Sequence, residues 1–406
     1  MITIAEKNNN TAKMMVIGVG GGGNNAVNQM IAKQVDTVTF VAVNTDLQAL
    51  QQSKVVESNR LQIGKIKTEG LGAGSDPEIG KLAAEESIEE IKEAVKGMHL
   101  VFVVCGMGGG TGTGATPVIA KVAKDSGALV VGVVTTPFEF EGARRQANAK
   151  KGIEALARYV DSMIIIPNNK LLTEVAKDGD LSIVKAFEIA DDVLRQGIMG
   201  ISNLIVNPGL INLDFADIKA VLKNQGLAHM GIGRAKGENK IYDAVCQAVR
   251  SPLLETSIEG AKGLILNICG NRDLSLVDVG NATTIIKEAL DENANIIFGT
   301  CIDENLKDEV LVTLIATGFK MNSDSPKPNK PVPTEPPVVR PMQNANTVYS
   351  EQVPEKEQTQ TIKEYPRYEE SYNNSVEQKK EEQEENANVK TKKPPAFLRR
   401  VFGKKD

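Results

Sequence analysis

Two glycine-rich stretches, each set directly behind a run of β-branched residues, constrain this chain more than any other feature. The run Met14–Val19 gives way to Gly18-Val19-Gly20-Gly21-Gly22-Gly23-Asn24-Asn25, and Leu100–Val104 gives way to Gly106-Met107-Gly108-Gly109-Gly110-Thr111-Gly112-Thr113-Gly114. A helical pattern follows each, from Ala26 and from Ala115. Glycine at such a turn lets backbone N–H groups close on a phosphate at the positive end of the next helix. Gly18, Gly20 and Gly23 also satisfy G-x-G-x-x-G, and Asp46 stands where a dinucleotide fold keeps its ribose-binding acid. On that loop alone, a dinucleotide and a mononucleotide are equally good ligands. The second loop decides for the mononucleotide, because a dinucleotide fold carries one such fingerprint, not a richer one on a later strand. It is no Walker A loop either, since no Gly-Lys-Ser/Thr follows it. Phosphates must therefore be held by backbone amides, by the hydroxyls of Thr111 and Thr113, and by helix dipoles. A third stretch, Gly70-Leu71-Gly72-Ala73-Gly74, reads equally well as a flap over the same phosphates and as an ordinary flexible surface loop.

The remaining pattern before residue 200 is that of an α/β fold. Val38–Val43, Leu129–Val134 and Met163–Ile166 repeat the short apolar runs expected of strands buried on both faces of a parallel sheet. Asp76 as N-cap, Pro77 at the first helical position and Glu78 in the first turn predict a helix to about Val95. Leu181, Val184, Phe187, Ala190, Val193 and Leu194 recur at helical spacing and predict a long connecting helix over Leu181–Gly200. Beyond it, Gly263–Cys269, Ala294–Thr300 and Val310–Ala316 read as strands around a helix near Ala282–Leu290, a smaller α/β unit. All glycines but one precede residue 320, whereas most prolines follow it. From Met321 to about Lys390 the chain is too poor in apolar residues to offset the entropy of ordering, which predicts a disordered linker.

Composition excludes several classes. The four cysteines, Cys105, Cys246, Cys269 and Cys301, are far apart in sequence and there are only two histidines, so no metal-ligand or disulfide-scaffold spacing appears. A net charge of -5 gives no global reason to bind nucleic acid. The polar N-terminus and the lack of any run of ~18 apolar residues predict neither a secretory leader nor a membrane span, and hence a cytoplasmic protein.

At Gly108–Gly114 the sequence GGGTGTG resembles the signature loop of the tubulin-like GTPases. With GVGGGGNNAV near the start, VVTTPFEFEGARR at Val133–Arg145 and NPGLINLDFAD at Asn207–Asp217, the chain from about Lys13 to Gly318 resembles the FtsZ family of cell-division GTPases. The resemblance implies a tubulin/FtsZ-like fold: a flexible N-terminus (1–12), a parallel-sheet GTP-binding domain (13–180), a connecting helix (181–202), a smaller GTPase-activating domain (203–319), a disordered linker (320–391) and a partner-binding peptide (392–406). It implies GTP/GDP and Mg²⁺ as ligands, with Gly21, Gly22, Gly23, Asn24, Asn25, Gly72, Ala73, Gly74, Gly108, Gly109, Gly110, Thr111, Gly112 and Thr113 around the phosphates. Glu141 and Arg145 resemble the ribose- and phosphate-side contacts; from the residues alone they are an exposed helix-start pair. Asn168 and Asp191 resemble the guanine readers, with Phe187 against the base or, equally, in the helix core. A carboxylate accepts from guanine N1 and its exocyclic amine, a pair adenine does not present. Asp192, next to Asp191, is the rival for that role.

Asn212, Asp214 and Asp217 open a further helix, the acids sharing one face. By residue type this is helix capping; by resemblance it is the water-orienting catalytic loop, which reaches the nucleotide of the next subunit. The resemblance thus implies head-to-tail self-assembly into the division ring at midcell. At the C-terminus Phe397, Leu398, Val401 and Phe402 share a helical face flanked by cations. Pro395–Arg399 resembles the family peptide that binds membrane-tethering partners such as FtsA, though lysines stand where an acid is usual; contact with membrane is then indirect. A linker of ~70 residues reaches roughly 40–50 Å.

Overall fold

The computed structural model describes residues 12–175, 182–206, 214–251, 253–254, 258–272, 274–304 and 306–319. The linker and the C-terminal peptide, together with Asn212, lie outside the described residues. The elements run β1 (Met14–Val19), α1 (Gly20–Ala32), β2 (Thr39–Asn44), α2 (Leu47–Gln51), β3 (Arg60–Gln62), α3 (Lys65–Thr68), α4 (Pro77–Glu86), α5 (Ile88–Val95), β4 (Leu100–Gly106), α6 (Thr111–Asp125), β5 (Leu129–Thr136) and α7 (Ala143–Leu156). They continue as β6 (Ser162–Pro167), α8 (Asn168–Val175), α9 (Ile183–Val206), α10 (Phe215–Leu222), β7 (Gly226–Lys236), α11 (Lys240–Val249), β8 (Gly263–Gly270), α12 (Leu276–Ala289), β9 (Asn295–Ile302) and β10 (Glu309–Thr317).

The strands form one sheet in the order β3-β2-β1-β4-β5-β6-β7-β10-β8-β9. From β3 to β6 every pairing is parallel, β7 joins through the short parallel register Ser162↔Gly226 to Ile164↔Ala228, and β10 pairs antiparallel with both β7 and β8. Alternation explains why the first strands are apolar throughout. Met14, Val16, Leu100, Phe102 and Val104 bury against α1 and α9, through Val27, Met30, Leu194 and Ile198. Their neighbours Met15, Ile17, Val19, Val101 and Val103 bury on the opposite face against Ile91, Ile119 and Ala123. A third cluster covers the outer face of β8 and β10 with Ile241, Val245 and Ile286.

Three sequence expectations change. The helix predicted from Pro77 to about Val95 is two helices, broken at Ser87, whose Oγ accepts from Gly64 N at 3.2 Å and so is committed to the α3 turn. The long helix begins at Ile183 and continues past Gly200 to Val206. The strand β7 and the helix α11 had no apolar run to announce them. In β7, a Cβ on Gly231 or Gly233 would overlap the carbonyl oxygens of Ala248 and Ala244, so glycine lets α11 lie directly on the strand.

Candidate nucleotide-binding site

The chain leaves β1 in one direction across the sheet and β4 in the other, so the order reverses between these adjacent strands. Crevices at such a switch point, beyond the carboxyl ends of the strands, are where open α/β sheets bind ligands. Both glycine loops lie there, because Val19 and Cys105 are register partners. The loops interlock: Gly20 has φ +68°, and a Cβ on it would come within 2.8 Å of Gly112 N, while one on Gly22 would meet Gly106 N at 3.1 Å. Gly21 and Gly109 are different. Their φ is ordinary and a Cβ would meet nothing within 4 Å, so neither strain nor protein packing demands glycine. Both line the cavity that the loops enclose. The helices α1 and α6 start at these loops without side-chain caps, leaving their N-terminal dipoles to an anion.

The cavity measures about 400 Å³, within the usual range for small-ligand sites. Gly21, Gly22, Asn25, Gly109, Gly110, Thr111 and Gly112 of the loops line it together with Asn168, Phe187 and Asp191, and Glu141 and Arg145 are also on the wall. Asn168 is buried and its Oδ1 has no partner within the protein, an acceptor awaiting a donor. Phe187 is 41% exposed, so it is not a core residue; its ring stands edge-on to buried Phe138 at 5.2 Å, which in turn stacks on Phe140 at 5.0 Å. Burial, assisted by the charge of Glu188, pushes the Asp191 carboxyl up to about 7. Asp192 points elsewhere: it accepts from Arg195 Nε at 2.8 Å and Gln196 Nε2 at 2.6 Å. Burial works to raise it, yet these hydrogen bonds and the Arg195 charge hold it below the ordinary carboxylate value. Of the two aspartates, Asp191 lines the cavity and Asp192 does not. Glu141 accepts from Phe138 N at 2.9 Å and from Arg145 Nη1, so one carboxylate fixes both the turn and the guanidinium.

Other expected residues stand behind this wall. Thr113 Oγ1 accepts from Gly108 N at 2.8 Å, so its hydroxyl closes the loop on itself rather than facing phosphate. Thr111 keeps its place on the wall while its Oγ1 lies 2.6 Å from Thr45 Oγ1. Gly23 and Asn24 are buried beneath the first loop, and neither amide atom of Asn24 has a partner. Gly72, Ala73 and Gly74 do not line the cavity; Ala73 abuts Gly110, where a Cβ would meet the Ala73 Cβ at 2.8 Å, so this segment buttresses the second loop. Asp46, the acid of the dinucleotide reading, caps α2 by accepting from Gln48 N at 2.9 Å and Ala49 N at 3.1 Å. Thr135 and Pro137 on the wall were missed in the sequence, although the carboxyl end of β5 is where the switch-point rule places ligand contacts. A larger groove of about 500 Å³ between α4, α6 and α7, lined by Pro77, Lys81, Lys121 and Tyr159, has no loop amides and no orphaned acceptor.

Asp214 and Asp217 lie far from this cavity. Both are exposed and form a capping box at the start of α10: Ala216 N donates to Asp214 Oδ1, and Asp214 N to Asp217 Oδ2, each at 3.4 Å. The adjoining Phe215 packs on His99 with ring centres 6.2 Å apart, and His99 immediately precedes β4. The acids are thus at the amino end of β4 and the glycine loop is at its carboxyl end. Seven residues of strand separate them, roughly 20 Å.

Residues 13–176 match the family model for the Tubulin/FtsZ family GTPase domain, and residues 226–320 match that for the FtsZ family C-terminal domain. Among solved structures, an empty FtsZ dimer from M. jannaschii is 44% identical, with TM-score 0.73, covering 77% of this chain and 89% of that one. A point mutant of the same FtsZ is also 44% identical with TM-score 0.73, over 76% and 92% of the two chains. The GDP-bound monomer of CetZ1 from Haloferax volcanii shares the fold, with 24% identity and TM-score 0.65 over 76% and 95%. Sheet, glycine loops and this similarity agree, and the chain belongs to the FtsZ family of tubulin-like GTPases.

Proposed function

We propose that this chain hydrolyses GTP to GDP and phosphate only where two copies meet head to tail, and that the resulting filament builds the cytokinetic ring at the division site. The observation that carries this reading is the placement of Asp214 and Asp217 at the opposite end of β4 from the cavity. A single copy holds phosphates but keeps its own Asp214 and Asp217 away from them; stacking a second copy puts its α10 against the open cavity. Such a contact is heterologous and does not close, so it propagates as a filament.

In this reading the amides around Gly21, Gly22, Gly109 and Gly110 and the N-termini of α1 and α6 hold the phosphates. Asp191 and Asn168 select guanine, Phe187 packs on the base, and Glu141 with Arg145 borders the ribose and phosphates. Asp214 and Asp217 of the incoming copy orient the attacking water, with Asn212 beside them. Among the described residues no group of three His, Cys, Asp or Glu side chains is placed to hold a metal. Mg²⁺ would enter with the nucleotide beside Gly21, Gly109 and Thr111, and when bound would supply positive charge to the phosphates. Residues 13–180 then serve as the nucleotide-binding part, 181–202 as the connecting rod and 203–319 as the part that supplies the acids. Across the linker 320–391, Pro395–Arg399 engages an FtsA-like tether and holds a cytoplasmic filament near the membrane; no helix among the described residues is long and apolar enough to cross one.

Mixing variants tests the idea. Asp214→Ala retains the cavity and Asp191→Ala retains the acids; each alone is inactive, whereas an equal mixture regains about one quarter of wild-type turnover, the share of randomly formed junctions that pair the intact halves. Mixtures that stay inactive although both variants still co-assemble would overturn the shared site.

A further inference from the structure

The strands β8 and β9 end the sheet and run parallel in register, which makes Cys269 and Cys301 direct partners although they are distant in sequence. Alternation aims both side chains toward α9: Ile265 and Ile297, on the same face of these strands, join the cluster under that helix, whereas Leu266 and Ile268 join the opposite one. Registered neighbours stand about 5 Å apart at Cα, inside the span a disulfide bridges. Polar neighbours hold the sulfurs in place. Asn267 Nδ2 donates to Cys269 Sγ at 3.5 Å, and Asn203 Nδ2 of α9 to Cys301 Sγ at 4.0 Å. The two differ in access, since Cys269 is buried and Cys301 is half-buried.

We propose that Cys269 and Cys301 are a redox-responsive dithiol, which a low-molecular-weight disulfide oxidises to an intrachain disulfide tying the edge strand β9 to β8. The roles follow from the environment. The hydrogen bond from Cys269 lowers the Cys301 thiol below its usual value against the opposing effects of burial and Asp303. The same hydrogen bond, then burial and Asp303, keep Cys269 protonated. Cys301, as thiolate, attacks one sulfur of the oxidant RSSR and expels RS⁻, which leaves a mixed disulfide. Cys269 then passes its proton to solvent base and attacks Cys301 Sγ, expelling the second RS⁻. Two thiols lose two electrons, and the oxidant becomes two RSH.

Oxidised glutathione on the folded full-length chain is the test, read by alkylating the thiols after denaturation and mapping the peptides. It does not depend on any reading of GTP turnover. The four thiols fall to two, a single linked peptide joins Cys269 to Cys301, Cys105 and Cys246 remain alkylated, and a dithiol reductant restores all four. In Cys269→Ser the reaction stops as a glutathione adduct on Cys301; in Cys301→Ser, modification at Cys269 slows at least tenfold. Finding Cys269 and Cys301 both free under conditions that glutathionylate half-buried Cys246 would refute the proposal. So would a linkage between other cysteines or between chains.

Discussion

Guanine nucleotide affinity is expected to rise with pH across neutrality, and Asp191 sets the size of the effect. In the unliganded chain its carboxyl is raised to about 7, first by burial and then by the charge of Glu188. The guanine edge presents N1–H and an exocyclic amine, two donors that an ionised carboxylate accepts and a protonated one does not. Binding must therefore remove the proton. At pH 6 about one molecule in eleven carries the charge already, and at pH 8 about ten in eleven do, so GDP affinity increases about tenfold, ~1.4 kcal/mol. The sign for stability follows from the same shift. The folded carboxyl sits above its ordinary value of 3.8, so the extra proton stabilises the unliganded chain at low pH, and that contribution is lost as pH rises through about 7. Calorimetric titration with GDP at pH 6 and pH 8, at constant ionic strength, measures the affinity ratio. Asp191→Asn keeps the shape without the titration, and phosphate ionisation is common to both proteins. The ratio should be about tenfold smaller in the variant; equal ratios would refute the account.

Other substitutions separate binding from folding. Gly109→Ala meets no protein atom within 4 Å, so the melting temperature should hold while GDP affinity falls; Gly114→Ala drives a Cβ into Pro77 O and should cost ~1–3 kcal/mol of stability in a denaturant titration. Phe187→Ala should weaken GDP binding roughly 2- to 10-fold, the worth of one aromatic contact, with a smaller loss of stability than truncating a buried phenylalanine because the residue is 41% exposed. Thr113→Val leaves buried Gly108 N without its acceptor and should cost ~1–3 kcal/mol on unfolding. Asp214→Ala gives up one long, exposed capping bond, that from Ala216 N, and keeps the backbone donation to Asp217 Oδ2, so stability should fall by no more than ~1 kcal/mol while GTP turnover disappears.

Much of this protein was written in local patterns. Runs such as Met14–Val19 and Leu100–Val104 had to be strands buried on both faces, because every residue in them is apolar and each face then receives every second one. Asp76-Pro77-Glu78 fixed a helix start, and the two glycine loops fixed tight turns into the helices that follow β1 and β4, because capping and left-handed backbone depend on residues within a few positions. The choice of Asp191 over Asp192 was not local: adjacent helix positions differ by about 100°, and only the packing of α9 determines which one enters the cavity. Asp46 and Thr113 show the same limit, since their residue types suit a ligand and their partners turned out to be backbone amides. Sequence supplied the acids Asp214 and Asp217 and the separate cysteines 269 and 301, but not their places. The strand register sets the acids at the far end of β4 from the loops and brings the cysteines side by side, because hydrogen-bonded pairing joins residues that no spacing along the chain relates.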